Sequence, residues 1–581
     1  MNLRRTLETR LSRALSDAGA DGPALVAPAG KPEFGDYQAN GCMAAAKRAG
    51  GNPRQLAERV VAAADVADLA EPLEVAGPGF INITLRRDFL QQHLGEALSD
   101  ERLAVPPAEA PQTVVVDYSG PNLAKEMHVG HLRSTIIGDA LVRVSEFLGH
   151  NVIRQNHVGD WGTQFGMLTA YMDARDDDAG DGGHRIADME AFYQAAKRRF
   201  DTDEAFADAA RRSVVKLQGG DEHALSVWRD VVDQSLRHAQ EVYDRLGVTL
   251  QREHVRGESA YNDDLPRVVA DLDAAGLLSE SQGAQCVFLD GFTNADGEPL
   301  PVIVRKSDGG YLYATTDLGA LRYRARHLHA DRILYVTDSR QALHFQQVFA
   351  VARAAGFVPE HVLLEHVPFG MMLGANRQPF RTRDGGTVKL TDLLDEAVRR
   401  ARALVDEKNP NLDAPARDAV AEAVGIGAVK YADLCQNRTS DYVFAWDKLL
   451  SLEGNTAPYL QYAYARVRSI FRKGGGPEQI AADDEHRAAE IVLSEQAERT
   501  LAVTLVRLPE TLETVARESM PNLLCAYLYG LAGAFMAFYE TCPVLKADAA
   551  VRASRLGLCD LTARTLATGL DLLGIETLER M

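Results

Sequence analysis

Residues 113–131 read Thr113-Val-Val-Val-Asp-Tyr-Ser-Gly-Pro-Asn-Leu-Ala-Lys-Glu-Met-His-Val-Gly-His131. The short β-branched run Thr113–Val116 predicts a strand buried on both faces, as in a parallel sheet. It ends in turn-forming residues: Asp117, Ser119, Gly120, Pro121 and Asn122. From His128 a helical pattern begins. Leu132, Ile136, Ala140, Val144 and Phe147 recur at spacings of three and four, and Gly149 stops the helix after Leu148. Asn151–Ile153 is a second apolar strand. Strand, loop, helix and strand within about forty residues form a βαβ unit. The loop at the carboxyl end of its first strand is where open α/β sheets take ligands.

Two histidines at a helix mouth suit a nucleotide, because the helix N-terminus offers unpaired N–H groups and partial positive charge to phosphates. Gly130 lets a flat base approach the backbone, and Lys125 adds a compact charge. The bland alternative is a helix cap with two surface histidines. This composition gives roughly 0.03 chance occurrences of His-x-Gly-His, and the flanking strand and helix favour nucleotide binding further. His128-Val-Gly-His131 resembles the first signature of class I aminoacyl-tRNA synthetases. The longer run Asp117–Lys125, with His131-Leu-Arg-Ser-Thr135, resembles the arginyl-tRNA synthetases, and the likeness runs from Phe34-Gly-Asp-Tyr-Gln-Ala-Asn40 to the closing Gly574–Met581.

Composition sets the bounds. A chain of 581 residues suggests three or four domains. Hydrophobic content of 46% and charged content of 25% are those of a soluble globular protein. Neither a signal peptide nor a run of about 18 apolar residues that could span a membrane is expected. Six scattered cysteines without a Cys-x-x-Cys pair argue against structural zinc and disulfides, and fit a reducing cytoplasm. The net charge of −19 argues mildly against nucleic acid. Basic clusters at 197–199, 211–212, 322–326, 377–383, 399–400 and 466–473 could supply a local binding face, although each alone reads as solvated surface.

Residues 1–112 read as a small α+β domain, with helices near 2–18 and 53–64 and a strand at Phe80–Leu85. Phe80 and Asn82 fall on one face of that strand. An aromatic ring beside an amide suits stacking on an unpaired base and reading its edge. The resemblance implies that this domain contacts tRNA; a core Phe with a strand-end Asn is the alternative. The Rossmann-like part is expected over 113–387, with a largely helical insertion near 170–300. Its sheet is expected to resume with Gln285–Leu289 and Pro301–Arg305. It continues through a strand at Tyr311–Asp317 leading into a helix, a strand at Asp331–Val336 and another at Val362–Phe369. Strands alternating with helices predict a doubly wound parallel sheet.

Asp117 with Asn122, Tyr313 with Asp317, and Gln341 then sit on three turns at one sheet edge, and such turns converge. Two carboxylates and a phenol suit a guanidinium, which offers five donors in a planar fork; helix capping is the alternative for each aspartate. The resemblance implies an arginine subsite of Asp117, Ser119, Asn122, His131, Tyr313, Asp317 and Gln341. Gly370-Met371-Met372-Leu-Gly374, followed by Pro379-Phe-Arg381-Thr-Arg383, occupies the second class I signature without a lysine. Arg381 and Arg383 carry its charge, and Lys125 matches the lysine that compensates in such enzymes. ATP is thus expected against Lys125, His128, Gly130, His131, Met371 and Met372, with Lys125, His128, His131, Arg381 and Arg383 catalytic.

From 388 to 581 the chain reads as an all-α bundle resembling the family's anticodon-binding domain. Its helices are expected at 390–405, 416–432, 458–471, 485–519 and 521–539. Tyr462 and Arg466 share a helical face suited to a single-stranded anticodon. The resemblance implies ATP-dependent ligation of L-arginine to tRNA(Arg) through arginyl-adenylate, with Mg²⁺ accompanying ATP and no zinc. It implies a cytoplasmic enzyme, and a monomer is expected. The rivals are a catalytically silent tRNA-binding relative and cysteinyl-tRNA synthetase; the latter is disfavoured because a thiol site would call for zinc-ligand clusters.

Overall fold

The computed structural model describes residues 1–179, 189–380, 388–408, 410–474 and 490–581. These fall into two compact units, one of residues 1–108 with 450–581 and one of 109–449. In the first unit, helix α1 (Leu3–Asp17) buries Leu3, Leu7, Leu11 and Leu15, the four-residue stripe of an amphipathic helix, and the Asn2 side chain caps it. Strands β1 (Val26–Pro28), β2 (Tyr37–Ala39), β3 (Glu74–Ala76) and β4 (Phe80–Ile83) form an antiparallel sheet in the order β1-β2-β4-β3. Helices α2 (Gly41–Ala49), α3 (Pro53–Ala63) and α4 (Arg87–Ser99) complete this part.

The second unit is built on β5 (Thr113–Asp117), α5 (Val129–Phe147) and β6 (Asn151–Gln155), where the βαβ pattern requires them. Helices α6 (Thr163–Ala179), α7 (Met189–Thr202), α8 (Glu204–Gln218) and α9 (Glu222–Arg245) follow. Their shared core of Phe165, Phe192, Phe206, Leu217 and Val231 also takes in Leu123 and Ala124 of the turn after β5. After α10 (Leu265–Ala274), the strands β7 (Leu278–Ser281), β8 (Ala284–Val287) and β9 (Val302–Arg305) form an antiparallel sheet of their own. They do not resume the parallel sheet as the pattern suggested; alternation marks a strand without saying which sheet it joins.

Residues 311–317 also depart from expectation. Helix α11 (Tyr313–Arg326) already begins there despite β-favouring residues, and the Thr315 hydroxyl, buried in its first turn, donates to the Val304 carbonyl and ties the helix start to β9. Strand β10 (Arg332–Tyr335), α12 (Ala342–Ala354) and β11 (Leu363–His366) follow, giving a parallel sheet in the order β11-β10-β5-β6. The chain leaves β5 toward β6 on one side and reaches β10 on the other. The crevice at the carboxyl ends of β5 and β10 is therefore the topological switch point.

Strand β12 (Met372–Leu373), helices α13 (Leu390–Lys408) and α14 (Ala414–Leu434), β13 (Tyr442–Val443) and the single turn α15 (Trp446–Leu449) close this unit. The helical region begins near 388 as read, but α13 and α14 pack on α5, so the compact unit ends at 449 rather than 387.

The rest of the first unit is α16 (Ala457–Lys473), α17 (Gln496–Leu505), α18 (Leu508–Glu518), α19 (Asn522–Thr541) and α20 (Ala549–Leu572). The run expected over 485–519 divides in two, with Pro509 starting α18 where its missing N–H costs nothing. Contrary to the sequence reading, α19 is long and apolar enough to cross a membrane. It buries Leu524, Leu528, Leu531, Phe535 and Phe538 and packs on α17, α18 and α20, as a bundle's core helix does. The Phe34–Asn40 motif joins the unit's two segments. Arg499 binds Asp36 bidentately at 3.0 and 2.6 Å, and Tyr37 donates to Glu510 at 2.9 Å.

Candidate active site

At the mouth of α5 the two signature histidines cap the helix reciprocally. His128 Nδ1 accepts the Gly130 N–H at 3.0 Å and His131 Nδ1 accepts the His128 N–H at 3.1 Å, with the rings 4.0 Å apart. Burial and the neighbouring His128 depress the His131 pKa to about 3, so its ring is neutral. A neutral ring accepting at Nδ1 carries its proton on Nε2, a donor fixed in tautomer by the backbone itself. Gly130 is required by this fold-over rather than by a base alone: a Cβ there would lie 2.7 Å from the His128 ring. Two turns further, a Cβ at Gly138 would meet the Tyr118 ring at 2.3 Å, so glycine is what lets α5 lie against the end of β5.

The turn between β5 and α5 runs through left-handed backbone at Ser119 (φ 71°), Gly120 (52°) and Ala124 (70°). It is held from several sides. The Ser119 N–H donates to Ser134 Oγ at 2.9 Å, Gly120 N–H to Asn156 Oδ1 at 3.0 Å and Leu123 N–H to the Gly159 carbonyl at 3.0 Å. Asn122 sits exposed at its apex and Lys125 is exposed beyond it, its ammonium 4.7 Å from the Tyr193 ring of α7.

Asp117 is not presented to solvent. It is 7% exposed and ion-paired at 2.8 Å with Arg324, a fully buried residue of α11 whose guanidinium also lies 4.8 Å from the Tyr335 ring. The expected basic cluster at 322–326 is thus not a basic face at its centre. Asp317 has a different setting. His344 Nε2 lies 2.6 Å from its carboxylate and His157 Nε2 4.0 Å away. Burial, with Asp160 and Asp317 nearby, pushes the Glu258 carboxyl up to about 8. Tyr313 stands one turn before Asp317, 69% exposed, and Gln341 is exposed at the start of α12, three residues before His344. Asp117, Ser119 and Asn122 therefore share the turn after β5, with His131 in the first turn of α5 beyond it, while the His157 ring, next in sequence to Asn156, lies 4.0 Å from Asp317. Tyr313 opens α11 and Gln341 is the N-cap of α12, both exposed.

The second signature is tied to the first. Buried Arg133 of α5 pairs with buried Asp433 at 3.0 Å and donates to the Gly370 carbonyl at 2.7 Å and the Ser440 carbonyl at 3.2 Å. Met371 N–H donates to Asp441 at 2.6 Å, and Met372 is buried in β12. The Val129 N–H donates to the Val388 carbonyl at 3.1 Å and Leu390 N–H to the Met127 carbonyl at 3.0 Å. Gly370 and Val388, flanking the lysine-free segment, thus both bond to the α5 region. Arg381 and Arg383 lie outside the described residues.

In the other unit, Asn82 is only 8% exposed and its amide oxygen accepts from Gln38 at 2.8 Å, while Phe80 on the same strand face is half-buried. Arg466 and Tyr462 do share a face of α16. The guanidinium donates to the phenol at 2.8 Å and lies 4.9 Å from the Tyr539 ring.

Sequence reasoning missed Arg324, His344, Glu258 and Tyr243. The one available signal was the position of His344 on the first turn of a helix already expected to face the crevice.

Comparison with known proteins agrees with this geometry. Residues 93–446 match the family of class I (R) tRNA synthetase catalytic domains, residues 4–85 the arginyl tRNA synthetase N-terminal domain and residues 460–581 the DALR anticodon-binding domain. The chain is 58% identical to an arginine–tRNA ligase of Cellvibrio japonicus and 57% identical to one of Chromobacterium violaceum, in both cases over 100% of each chain. Among solved structures, Plasmodium falciparum arginyl-tRNA synthetase superposes with a TM-score of 0.86 at 30% identity, covering 100% of this chain and 99% of the other. The Thermus thermophilus enzyme gives 0.82 at 27%, with both chains covered in full. With matches over all three segments and relatives above half identity from end to end, the chain belongs to the arginyl-tRNA synthetases of class I.

Proposed function

We propose that the crevice at β5 and β10 is where this arginine–tRNA ligase activates its amino acid. Arginine lies between the 117–122 turn and Asp317, and ATP lies along the mouth of α5. An arginine carboxylate oxygen attacks the α-phosphorus of ATP and pyrophosphate leaves; a terminal tRNA hydroxyl then attacks the arginyl carbonyl and AMP leaves. No covalent enzyme intermediate is needed, so the protein's contribution is positioning and charge stabilisation. The observation that carries this reading is the reciprocal histidine cap. It holds His131 as an Nε2–H donor beside a helix N-terminus, without a charge that pH could remove near neutrality, and packs the His128 ring against it.

Lys125 supplies the mobile cation at the triphosphate, with Arg381 and Arg383 closing from the second signature and Met371 and Met372 flooring the adenine side. Mg²⁺ is part of the substrate, held by ATP oxygens and water. Phe80 with Asn82, and Tyr462 with Arg466, are the tRNA contacts of the two other segments. We infer that the enzyme works in the cytoplasm as a monomer.

Charging of tRNA with each amino acid in turn tests the reading: arginine alone should be esterified, and exchange of pyrophosphate into ATP should be negligible until tRNA is added. Robust exchange by the free enzyme would overturn the tRNA dependence, and no charging at all would leave a silent tRNA binder.

A further inference from the structure

Tyr243 lies near the end of α9, in the helical insertion, with 3% of its surface exposed. Its hydroxyl is 2.7 Å from Ser119 Oγ and accepts from Asn156 Nδ2 at 3.1 Å. Asn156 uses its other amide atom to accept the Gly120 N–H. Ser119 Oγ is in turn 3.0 Å from Thr135 Oγ1, which donates to the His131 carbonyl at 2.8 Å. One phenol from the insertion thus ends a buried chain of hydrogen bonds that fixes Ser119 and Gly120 and reaches the second signature histidine. Ser119 is a non-glycine residue in left-handed backbone, a conformation that persists only where the surroundings over-determine it. Eight residues earlier, the same helix places Ser235 Oγ 3.0 Å from the N–H of Ala124, the next non-glycine left-handed residue and the neighbour of Lys125.

We propose that Tyr243 is a positioning residue for arginine: the insertion moulds the 119–124 turn, with the Tyr243 hydroxyl setting its amino-acid half and Ser235 its nucleotide half. This rests on the reading that the turn at 117–122 holds arginine. The rival is a core tyrosine that merely satisfies its own hydroxyl, and the two differ in what a single-oxygen deletion does.

Tyr243→Phe in the full-length enzyme, assayed with tRNA present, should raise the KM for arginine about tenfold, the worth of one buried hydrogen-bond hub, and leave the KM for ATP unchanged. Ser235→Ala should do the reverse, raising the ATP KM more than the arginine KM. Asn156→Ala removes the other partner of the Tyr243 hydroxyl together with the acceptor of the Gly120 N–H, and should reproduce the arginine defect, so the test survives if the tyrosine variant folds poorly. A lowered melting temperature with both KM values unchanged, or both raised equally, overturns the proposal. Asp317→Asn serves as the reference. If it raises the arginine KM and Tyr243→Phe does not, only the role of Tyr243 fails; if neither does, the arginine subsite itself has been misplaced.

Discussion

Asp117 and Asp317 carry the same side chain, and both stand at the crevice where the sheet reverses direction. The first sits against Arg324, a cation that no accessible pH can discharge, inside a pocket closed by Tyr335. The second faces two imidazoles, whose charge is conditional, and a carboxyl that burial keeps protonated up to about pH 8. A guanidinium arriving from solvent finds Asp117 already neutralised by one of the protein's own and finds Asp317 without a permanent counter-charge. We infer that arginine recognition by charge falls on Asp317, with Asp117 as the keystone that holds Arg324 against the end of β5.

The largest effect that separates the two aspartates is on stability. Removing one member of a buried pair strands the other, which costs about 3–5 kcal/mol, whereas removing both together costs far less. Arg324→Met should accordingly lower the thermal midpoint sharply, Asp117→Asn should do likewise, and the double variant should regain much of the loss in a double-mutant cycle. An additive double variant, or an Asp117→Asn enzyme of normal stability with a raised arginine KM, would return Asp117 to direct substrate binding.

The comparison also shows where the sequence was readable. The βαβ unit, β10, β11 and the mouth of α5 were legible because their signals are local: a β-branched run, a turn, a 3.6-residue period and a cap. The placement of β8 and β9 was not, since period two fixes a strand's faces and not its partners. Tyr311–Asp317 misled because its propensity is β, and the tertiary setting of the α11 start, with Thr315 buried and bonded to Val304, overrides local propensity. Above all, Arg324 sits within an arginine-rich run that looks solvated, and nothing local shows that its third member turns inward to meet a strand end far back in the chain. Partnership of buried charges is a tertiary fact, so the sequence could name Asp117 as a candidate without showing that Arg324 is its partner.

A smaller but more selective effect is expected at Asp317. Asp317→Asn keeps the shape and the hydrogen bond to His344 while removing the charge, so stability should change little. Charge-assisted bonds are worth about 1.5–3 kcal/mol, so the KM for arginine should rise by roughly ten- to a hundredfold with the KM for ATP unmoved. An unchanged arginine KM would dismiss the charge assignment and leave the crevice without an ionic anchor.

The smallest effect, and the one that tests the environment rather than the residue, is a pH slope. Glu258 keeps its proton up to about 8 in the fold, raised from 4.5 by burial and by Asp160 and Asp317. Its contribution to stability is therefore complete below about pH 4.5 and is lost as pH rises through 8, because the unfolded chain ionises it earlier. A bound guanidinium reverses the preference by favouring the carboxylate, so binding releases a proton and tightens as pH rises. The KM for arginine should fall about three- to tenfold between about pH 7 and pH 9, and Glu258→Gln should flatten that slope while leaving the KM for ATP alone. A slope that survives Glu258→Gln would detach the titration from this acid, and Asp317 would then differ from Asp117 only in lacking a buried arginine as its partner.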